Sequence, residues 1–237
     1  MLQYITDVAQ QLLHRRDDMP PKPKFNKEEI VYAGLDIARE RGISEVKARD
    51  VGDKLGCSSR PIFTFFASME ELQKAVEDEA WKVFRSYLAV ADNYLPAFKM
   101  RGMQMIKFAQ NEPKLFQLLF MTEKKPIDFN DLMKTRINGF ANDIDTIKKE
   151  FNVTDKEAMQ LFNHIWVFAY GICTLCATKV CTFTDEEIAA MLGHSFASTV
   201  MLIKSNKIGE FDFKPIQKNG NENPYRLEKF PVLHAEE

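Results

Sequence analysis

An all-α fold is predicted by three properties of the 237-residue sequence. Apolar residues recur at helical spacing along most of its length, and runs of alternating β-branched residues are missing. Glycine and proline fall between these periodic segments and not within them. Potential capping boxes, with a Ser, Thr or Asn three residues before a Glu, begin several of the segments. They are Asn26/Glu29, Ser68/Glu71, Thr154/Glu157 and Thr184/Glu187.

The composition fits a globular protein of one small and one larger domain. A hydrophobic content of 45% can furnish a core, whereas no stretch approaches the ~18 uninterrupted apolar residues of a membrane span. The net charge of −2 makes a bulk polyanion binder unexpected but leaves room for a local basic face. Four clustered cysteines are too few for a disulfide framework, and the N-terminus lacks an export signal. A cytoplasmic location is therefore expected.

Residues 1–25 are interpreted as an N-terminal extension and basic arm. Apolar residues within 2–16 follow helical spacing until MPPKPK interrupts them. This stretch is either an accessory helix or an upstream extension of a protein whose natural start is Met19, and the sequence leaves both open. Lys22 and Lys24 form a short basic arm that could reach a phosphate or the minor groove, with a solvated tail as the alternative.

Residues 26–75 have the pattern of a helix-turn-helix DNA-binding domain. The first helix is predicted from Asn26 to Arg41 and the second from Ala48 to Leu55. A third, short helix is predicted from Ser59 to Phe66, and a long fourth helix from Met69 to about Asn93 links this domain to the rest. In such units the helix after the turn enters the major groove of DNA. The sequence therefore favours a sequence-specific DNA binder.

The turn before the third helix carries its own signals. Gly56 is the residue type that ends a helix in the left-handed conformation at least steric cost. Ser58 is predicted to cap the third helix, and Pro61 is tolerable in its first turn, where the missing N–H had no partner. Ile62 and Phe66 are spaced i, i+4 and are predicted to pack inward.

The predicted outer faces of the second and third helices supply the candidate DNA contacts. Arginine can make a bidentate contact to guanine, and threonine or phenylalanine can touch a thymine methyl. Lys47, Arg49 and Lys54 are expected to meet phosphates, which position the protein without specifying sequence. Residues 47–66 carry four positive and two negative groups, a modest surplus that alone would be a solvated surface. The candidate residues are Lys47, Ala48, Arg49, Lys54, Ser58, Ser59, Arg60, Phe63, Thr64 and Phe65.

Residues 76–206 are predicted to form a helical ligand-binding and dimerisation domain, followed by an irregular tail at 207–237. The last two helical segments are apolar around most of their circumference, so they must be covered on several sides. We therefore expect one face of this pair to be buried by a second subunit. The periodic segments lie near 97–110, 113–122, 128–150, 155–180 and 184–206.

The larger domain is rich in big, deformable side chains, which fits either an ordinary core or an apolar cavity with a few convergent polar groups. The interpretation adopted is a pocket for a small molecule of unknown identity. His164 lies on an apolar helix, where a hydrogen-bonded core histidine is the default expectation. The candidate lining residues are Phe108, Phe120, Asn138, Asn163, His164, Phe168, Tyr170 and Thr174.

Cys173-x-x-Cys176, with Cys181 and His164 nearby, could suggest a metal or redox site. Inside an apolar helix, however, cysteine behaves as a small hydrophobic residue, and no second cysteine or histidine pair completes a zinc set. Core packing is favoured, and neither a metal nor a cofactor is expected. Glycine-rich phosphate loops, Gly-x-Ser-x-Gly elbows and His-Glu-x-x-His motifs are also missing, so no enzyme activity is expected.

Several residues follow one family's pattern of second helix, recognition helix and junction into a fourth helix. They are Gly42, Ala48-Arg49, Val51, Leu55-Gly56, Ser58, Ile62, Phe66 and Ser68-Met69-Glu70-Glu71-Leu72. On these residues the chain resembles the tetracycline-repressor (TetR) family over residues 26–75. The resemblance implies a homodimeric repressor. In that family a small molecule bound in each C-terminal domain moves the fourth helix and changes the spacing of two recognition helices.

The resemblance is weaker beyond residue 75, and it includes departures. Trp166 with Tyr170-Gly171 is similar to a Trp-x-x-x-His-Gly element, with tyrosine where histidine would be. A lysine usually sits where Met69 is and contributes a phosphate contact, and Phe63 and Phe65 lack the hydroxyl of the tyrosines often seen there. These changes imply a lower affinity per DNA-binding domain. Segments that look like a recurrent part of the family's ligand domain are Asn111-Glu112-Pro113, Leu115-Phe116 and Leu118-Leu119-Phe120.

The leading hypothesis is a ligand-responsive transcriptional repressor that binds a pseudo-palindromic operator of double-stranded DNA as a homodimer and is released by a small molecule. The alternative is an all-α small-molecule-binding or interaction protein with a vestigial DNA-binding domain. The modest charge and the departure at Met69 favour the alternative slightly. Neither hypothesis includes a membrane partner.

Overall fold

The computed structural model describes residues 25–123, 126–129, 131–133 and 143–205. Within these ranges the regular secondary structure is helical throughout, which confirms the predicted all-α class. The predicted accessory helix, the basic arm with Lys22 and Lys24, the tail at 207–237 and Asn138 lie outside the described residues.

The first four helices follow the local start and stop signals of the sequence. They are α1 (Lys27–Arg41), α2 (Ala48–Leu55), α3 (Ile62–Phe65) and α4 (Met69–Ala89), with 3-10 turns at Ile43–Glu45 and Val90–Asn93. The predicted bounds of the first, second and fourth helices are confirmed to within a few residues. We call α1 to α3 with the first turns of α4 the headpiece, and the helices that follow the body.

The body continues with five further described helices. They are α5 (Ala97–Asn111), α6 (Pro113–Phe120), α7 (Asp143–Phe151), α8 (Asp155–Ala177) and α9 (Asp185–Lys204). Their bounds agree with the predicted segments, except that the segment predicted at 128–150 is described only in part.

Side-chain caps begin most of these helices. Both hydrogen bonds of the capping box form at Asn26, Thr154 and Thr184. At Ser68 only half of the predicted box forms: the hydroxyl accepts from the Glu71 N–H, whereas the Glu71 carboxylate accepts from the N–H of Ala67 at 2.7 Å. All four predicted boxes therefore lie at helix starts, and three are complete.

Glycines end α1 and α2 as predicted. Gly42 has a φ of 99° and Gly56 a φ of 67°, conformations that a side chain would strain. The Gly56 N–H donates to carbonyls of the last turn of α2, so this glycine both stops the helix and starts the turn that leads to α3.

The predicted third helix, Ser59 to Phe66, is too long. The structure has a turn at its start, in which the Ile62 N–H donates to the Ser59 carbonyl at 3.2 Å, and helix only at Ile62–Phe65. Pro61 occupies the cap position, and Ser58 makes no capping bond. The physical reason is proline: the residue before it avoids helical geometry and its own nitrogen cannot donate.

One hydrophobic core runs from the headpiece into the body. α1 packs on α4, α4 on α5 and α5 on α8. Ile30, Phe84 and Phe116 are fully buried members of the same cluster, although they lie far apart in sequence. A second cluster, which includes Ile147 and Phe162, lies between α5, α7, α8 and α9. The headpiece and the body therefore share one hydrophobic core.

Two glycines allow helices to approach closely in the headpiece. A Cβ on Gly52 would lie 2.8 Å from the backbone oxygen of Cys57, on the turn that follows α2. A Cβ on Gly34 would lie 2.8 Å from Val76 Cγ2, where α1 crosses α4. The Gly52 contact is the tighter constraint, because the backbone of the turn cannot rotate away as a side chain can.

Gly52→Ala is expected to lower the free energy of unfolding by about 1–3 kcal/mol, because the new methyl group meets backbone. Denaturant titration followed by circular dichroism measures this change. Gly102→Ala is the matched control, since its Cβ would lie in ordinary contact, 3.6 Å from Leu192 Cδ1. The control gains helix propensity without a clash, so its stability should be equal or higher. A Gly52→Ala protein as stable as the control would contradict the close approach.

Candidate nucleic-acid interface

The orientation of α3 is set by packing. A helix of four residues cannot be stable alone, because fixing the backbone of a first turn costs more free energy than its hydrogen bond contributes. Ile62 is fully buried and Phe66 is 1% exposed, and both belong to the core that holds α1 and α4 together. These two residues therefore fix which side of the recognition segment, residues 59–66, faces outward, as the sequence predicts.

Three side chains project from the outer side of the recognition segment. Arg60 and Thr64 are exposed, and the apolar Phe63 is 51% exposed. Ser59 is partly buried, and Phe65 packs against the core, so both are less accessible than predicted. The accessible set combines a guanidinium, a hydroxyl with a methyl group, and an aromatic ring. Such groups can read base edges and thymine methyls.

Ion pairs distinguish the four cations of this surface. Lys54 contacts Asp36 at 3.3 Å and Glu40 at 3.7 Å, both on α1, so it ties α2 to α1. By contrast, the structure shows no ion pair for Arg60 within the described ranges. The two remaining cations pair locally, Lys47 with Glu45 and Arg49 with Asp53. Such exposed ion pairs contribute little free energy and can exchange for phosphates.

Two predicted contact residues lie at element boundaries. Ala48 begins α2 and is partly buried, with no polar group to offer beyond its backbone. Ser58 is exposed in the turn before α3. Among the predicted contact residues, the guanidinium of Arg60 is the group best suited to base recognition.

The headpiece also contacts the body through an ion pair that is not predictable from the sequence. Arg39 Nε on α1 lies 2.7 Å from the Glu112 carboxylate, which is only 12% exposed. Glu112 immediately precedes α6, and α6 also packs on α1. A shift of α6 would therefore act directly on α1.

A largely apolar cavity lies in the body between α4, α5, α7 and α8. The free space between its atoms amounts to about 400 Å³, counting the part open to solvent. Phe98, Phe162 and Trp166 form aromatic walls, and Arg101 and Asp143 contribute the charged groups. Aromatic walls with few polar groups are typical of small-molecule sites.

The residues predicted to line a pocket lie elsewhere. None of the seven that are described is among the residues that line this cavity. The cavity side of α8 carries Phe162, Ile165, Trp166 and Ala169, at i, i+3, i+4 and i+7. The seven occupy other sides of α8 or the aromatic core; they are Phe108, Phe120, Asn163, His164, Phe168, Tyr170 and Thr174.

Among the polar groups of the predicted pocket residues, Asn163 Oδ1 is buried without a hydrogen-bond partner in the described part of the chain, whereas Tyr170 and Thr174 have partners and His164 faces solvent. The Tyr170 hydroxyl donates to the Phe120 carbonyl at 2.7 Å, and the Thr174 hydroxyl to the Tyr170 carbonyl at 2.9 Å. His164 is exposed, so its interpretation as a core histidine is wrong. Sequence reasoning missed Arg101 and Asp143, because both lie inside predicted helical segments whose spacing does not show which charged side chains face a cavity.

The cysteines of α8 pack as small apolar side chains. Cys173 is fully buried and Cys176 nearly so, and both belong to the main core. Burial raises the pKa of both thiols, that of Cys173 strongly, which keeps them neutral. Across the described ranges, no group of three histidine, cysteine or acidic side chains is placed to hold a metal ion.

α8 and α9 leave an apolar surface uncovered. The exposed large apolar side chains are Val167, Phe168 and Leu175 on α8 and Met201 on α9. By length and composition alone, the 23 residues of α8 could cross a membrane, with a mean hydropathy of 1.2 over the relevant window. Of that window 39% is buried within the chain, and core helices of soluble proteins meet the same criterion.

Comparison with known proteins gives a structural match. No family model and no curated protein matches the sequence. Among solved structures, the chain is similar to a TetR-like transcriptional regulator from Rhodococcus sp. RHA1, with a TM-score of 0.53 and 14% sequence identity. The match covers 76% of this chain and 96% of that chain. This chain therefore has the all-α fold of a TetR-like transcriptional regulator.

Proposed function

We propose that the chain is a ligand-responsive transcriptional regulator, a repressor that binds a pseudo-palindromic DNA operator as a homodimer and is released by a small molecule. The observation that carries the proposal is the recognition segment of a TetR-like fold. On it, the buried Ile62 and Phe66 leave Arg60, Phe63 and Thr64 outward. That arrangement supports major-groove reading.

The outward groups divide into reading and positioning roles. Arg60, which has no carboxylate partner in the described part of the chain, is suited to a bidentate contact with guanine. Thr64 and Phe63 offer apolar contact to a thymine methyl. Lys47 and Arg49 would exchange weak surface ion pairs for phosphates and so set the register on DNA.

The uncovered apolar surface of α8 and α9 supports a homodimer. Phe168 and Leu175 are separated by two helical turns and share this surface with the exposed His164. Contiguous apolar surface marks an interaction site. Pairing α8 and α9 with their symmetry mates would bury it in a four-helix bundle and would place two headpieces on two half-sites.

A continuous series of contacts supports release by a ligand in the cavity. The ring of Trp166, which lines the cavity, stacks on Tyr170 with centroids 5.1 Å apart. The Tyr170 hydroxyl donates to the carbonyl of Phe120, the last residue of α6. At the other end of α6, Glu112 pairs with Arg39 on α1. A ligand that binds more tightly to one arrangement of these groups would shift the headpiece population.

Arg60→Ala and Thr64→Ala are expected to weaken binding to the operator while binding to competitor DNA changes much less, because base contacts carry sequence information. The expected loss for Arg60→Ala is about 1–3 kcal/mol of binding free energy. Gel shift against the DNA that flanks the gene, and against a scrambled fragment, measures both affinities.

Arg85→Ala is the matched control for this experiment, because it removes the same charge from an exposed position of α4 outside the headpiece. If operator and competitor affinities fall equally in Arg60→Ala and Thr64→Ala, the recognition segment does not read bases. If the wild-type chain has no preference for the flanking fragment, the alternative of a binding protein with a vestigial headpiece is favoured.

Leu175→Glu is expected to convert the dimer to a monomer, because symmetry brings carboxylates into an apolar interface. Multi-angle light scattering measures the mass. Leu95→Glu is the matched control, since Leu95 is 90% exposed and lies outside α8 and α9. A wild-type monomer at micromolar concentration, or a Leu175→Glu protein that remains a dimer, would contradict this interface.

A further inference from the structure

The charged groups of the body cavity are unequally paired. The Arg101 guanidinium contacts Asp143 with Nη1 and contacts Asp92 with Nη2 at 2.7 Å. Asp143 has Arg101 as its ion-pair partner in the described part of the chain. The side chains of Arg101 and Asp143 are 15% and 5% exposed, whereas that of Asp92 is 61% exposed. The largely buried Arg101 therefore pairs with two carboxylates, those of Asp92 and Asp143.

This unequal pairing decides whether a positively or a negatively charged ligand binds at the lower cost in free energy. A ligand carboxylate that displaces Asp143 from Arg101 would leave Asp143 buried without a partner, which is strongly unfavourable. A ligand ammonium group would pair with Asp143 while Arg101 keeps Asp92, so every charged group retains a partner. The exchange with a cation also neutralises the local net charge of one base and two acids.

One further polar atom belongs to a residue that lines the cavity. Trp166 Nε1 is buried and lacks a hydrogen-bond partner among the described residues. A single oxygen on a ligand would satisfy this donor. A ligand anion, by contrast, would find no free base among the lining residues, because Arg101 is already paired.

The walls of the cavity suit a cation as well. Phe98, Phe162 and Trp166 line it, and the faces of aromatic rings attract a cation that is held out of water. Met105 and Ile165 complete an apolar lining for the uncharged part of a ligand. The site thus offers one carboxylate and three aromatic rings.

We propose that this cavity binds an organic cation, namely a protonated amine on a compact apolar or aromatic body, whose nitrogen pairs with Asp143. The effector role of such a ligand rests on the proposed function, but the charge preference of the cavity does not. On binding, Arg101 keeps Asp92 and releases Asp143, the first residue of α7, so the ligand replaces a direct contact between α5 and α7.

The experiment compares three probes of similar size and different charge on the full chain: benzylammonium, benzyl alcohol and phenylacetate. Isothermal titration calorimetry measures their affinities for the wild type, Asp143→Asn and Asp145→Asn. Asp145→Asn is the matched control, because it makes the same change on the same helix at a side chain that is 71% exposed. We expect benzylammonium to bind about tenfold or more tightly than phenylacetate. This preference should disappear in Asp143→Asn and persist in Asp145→Asn.

Three results would overturn the inference. They are equal or tighter binding of phenylacetate, a preference for benzylammonium that survives in Asp143→Asn, and no binding of any probe at millimolar concentration. If Asp143→Asn fails to fold, the order of the three affinities on the wild type still decides. Since the titration contains no DNA, its result stands whether or not the chain binds an operator. If the chain fails to bind operator DNA, that result would count against the proposed regulatory function and not against the cation site.

Discussion

The burial of Ile62 and Phe66 is the constraint on which the proposed DNA-binding surface depends. α3 has too few residues to hold its own conformation, so its direction comes from the core beneath it. The close approach at Gly52 fixes the other side of the turn, where a methyl group would strike backbone. Because Ile62 and Phe66 face the core, Arg60 and Phe63 project outward.

The same core makes the headpiece sensitive to the body. Phe84 and Phe116 lie in one cluster with headpiece residues, so a displacement of α6 or α4 cannot be absorbed locally. The ion pair of Arg39 with Glu112 adds a polar connection at the end of α6. Tyr170 completes the connection, because it contacts α6 with its hydroxyl and the cavity-lining Trp166 with its ring. The contacts that stabilise the fold are therefore the same ones that the proposed release by a ligand would use.

Helix bounds are predictable from this sequence because each is set by one or two neighbouring residues, as at Asn26 and Gly56. The short α3 shows the limit of periodicity, since Pro61 removes helix that the spacing of apolar residues would allow. The cavity is not predictable in the same way. Arg101 and Asp143 are 42 residues apart in sequence and meet only through the packing of α5 against α7. Polar residues on an apolar helix do not reveal which side faces a cavity.

If the recognition segment touches base edges, a crosslinking side chain at position 63 should react with the bases of bound DNA. A photoreactive phenylalanine analogue at that position keeps the aromatic body of a side chain that is 51% exposed. On irradiation with the flanking DNA, adducts are expected on bases at one place in each half-site. These adducts should vanish with scrambled DNA. Adducts confined to the protein itself, or spread over DNA of any sequence, would contradict base contact by the recognition segment.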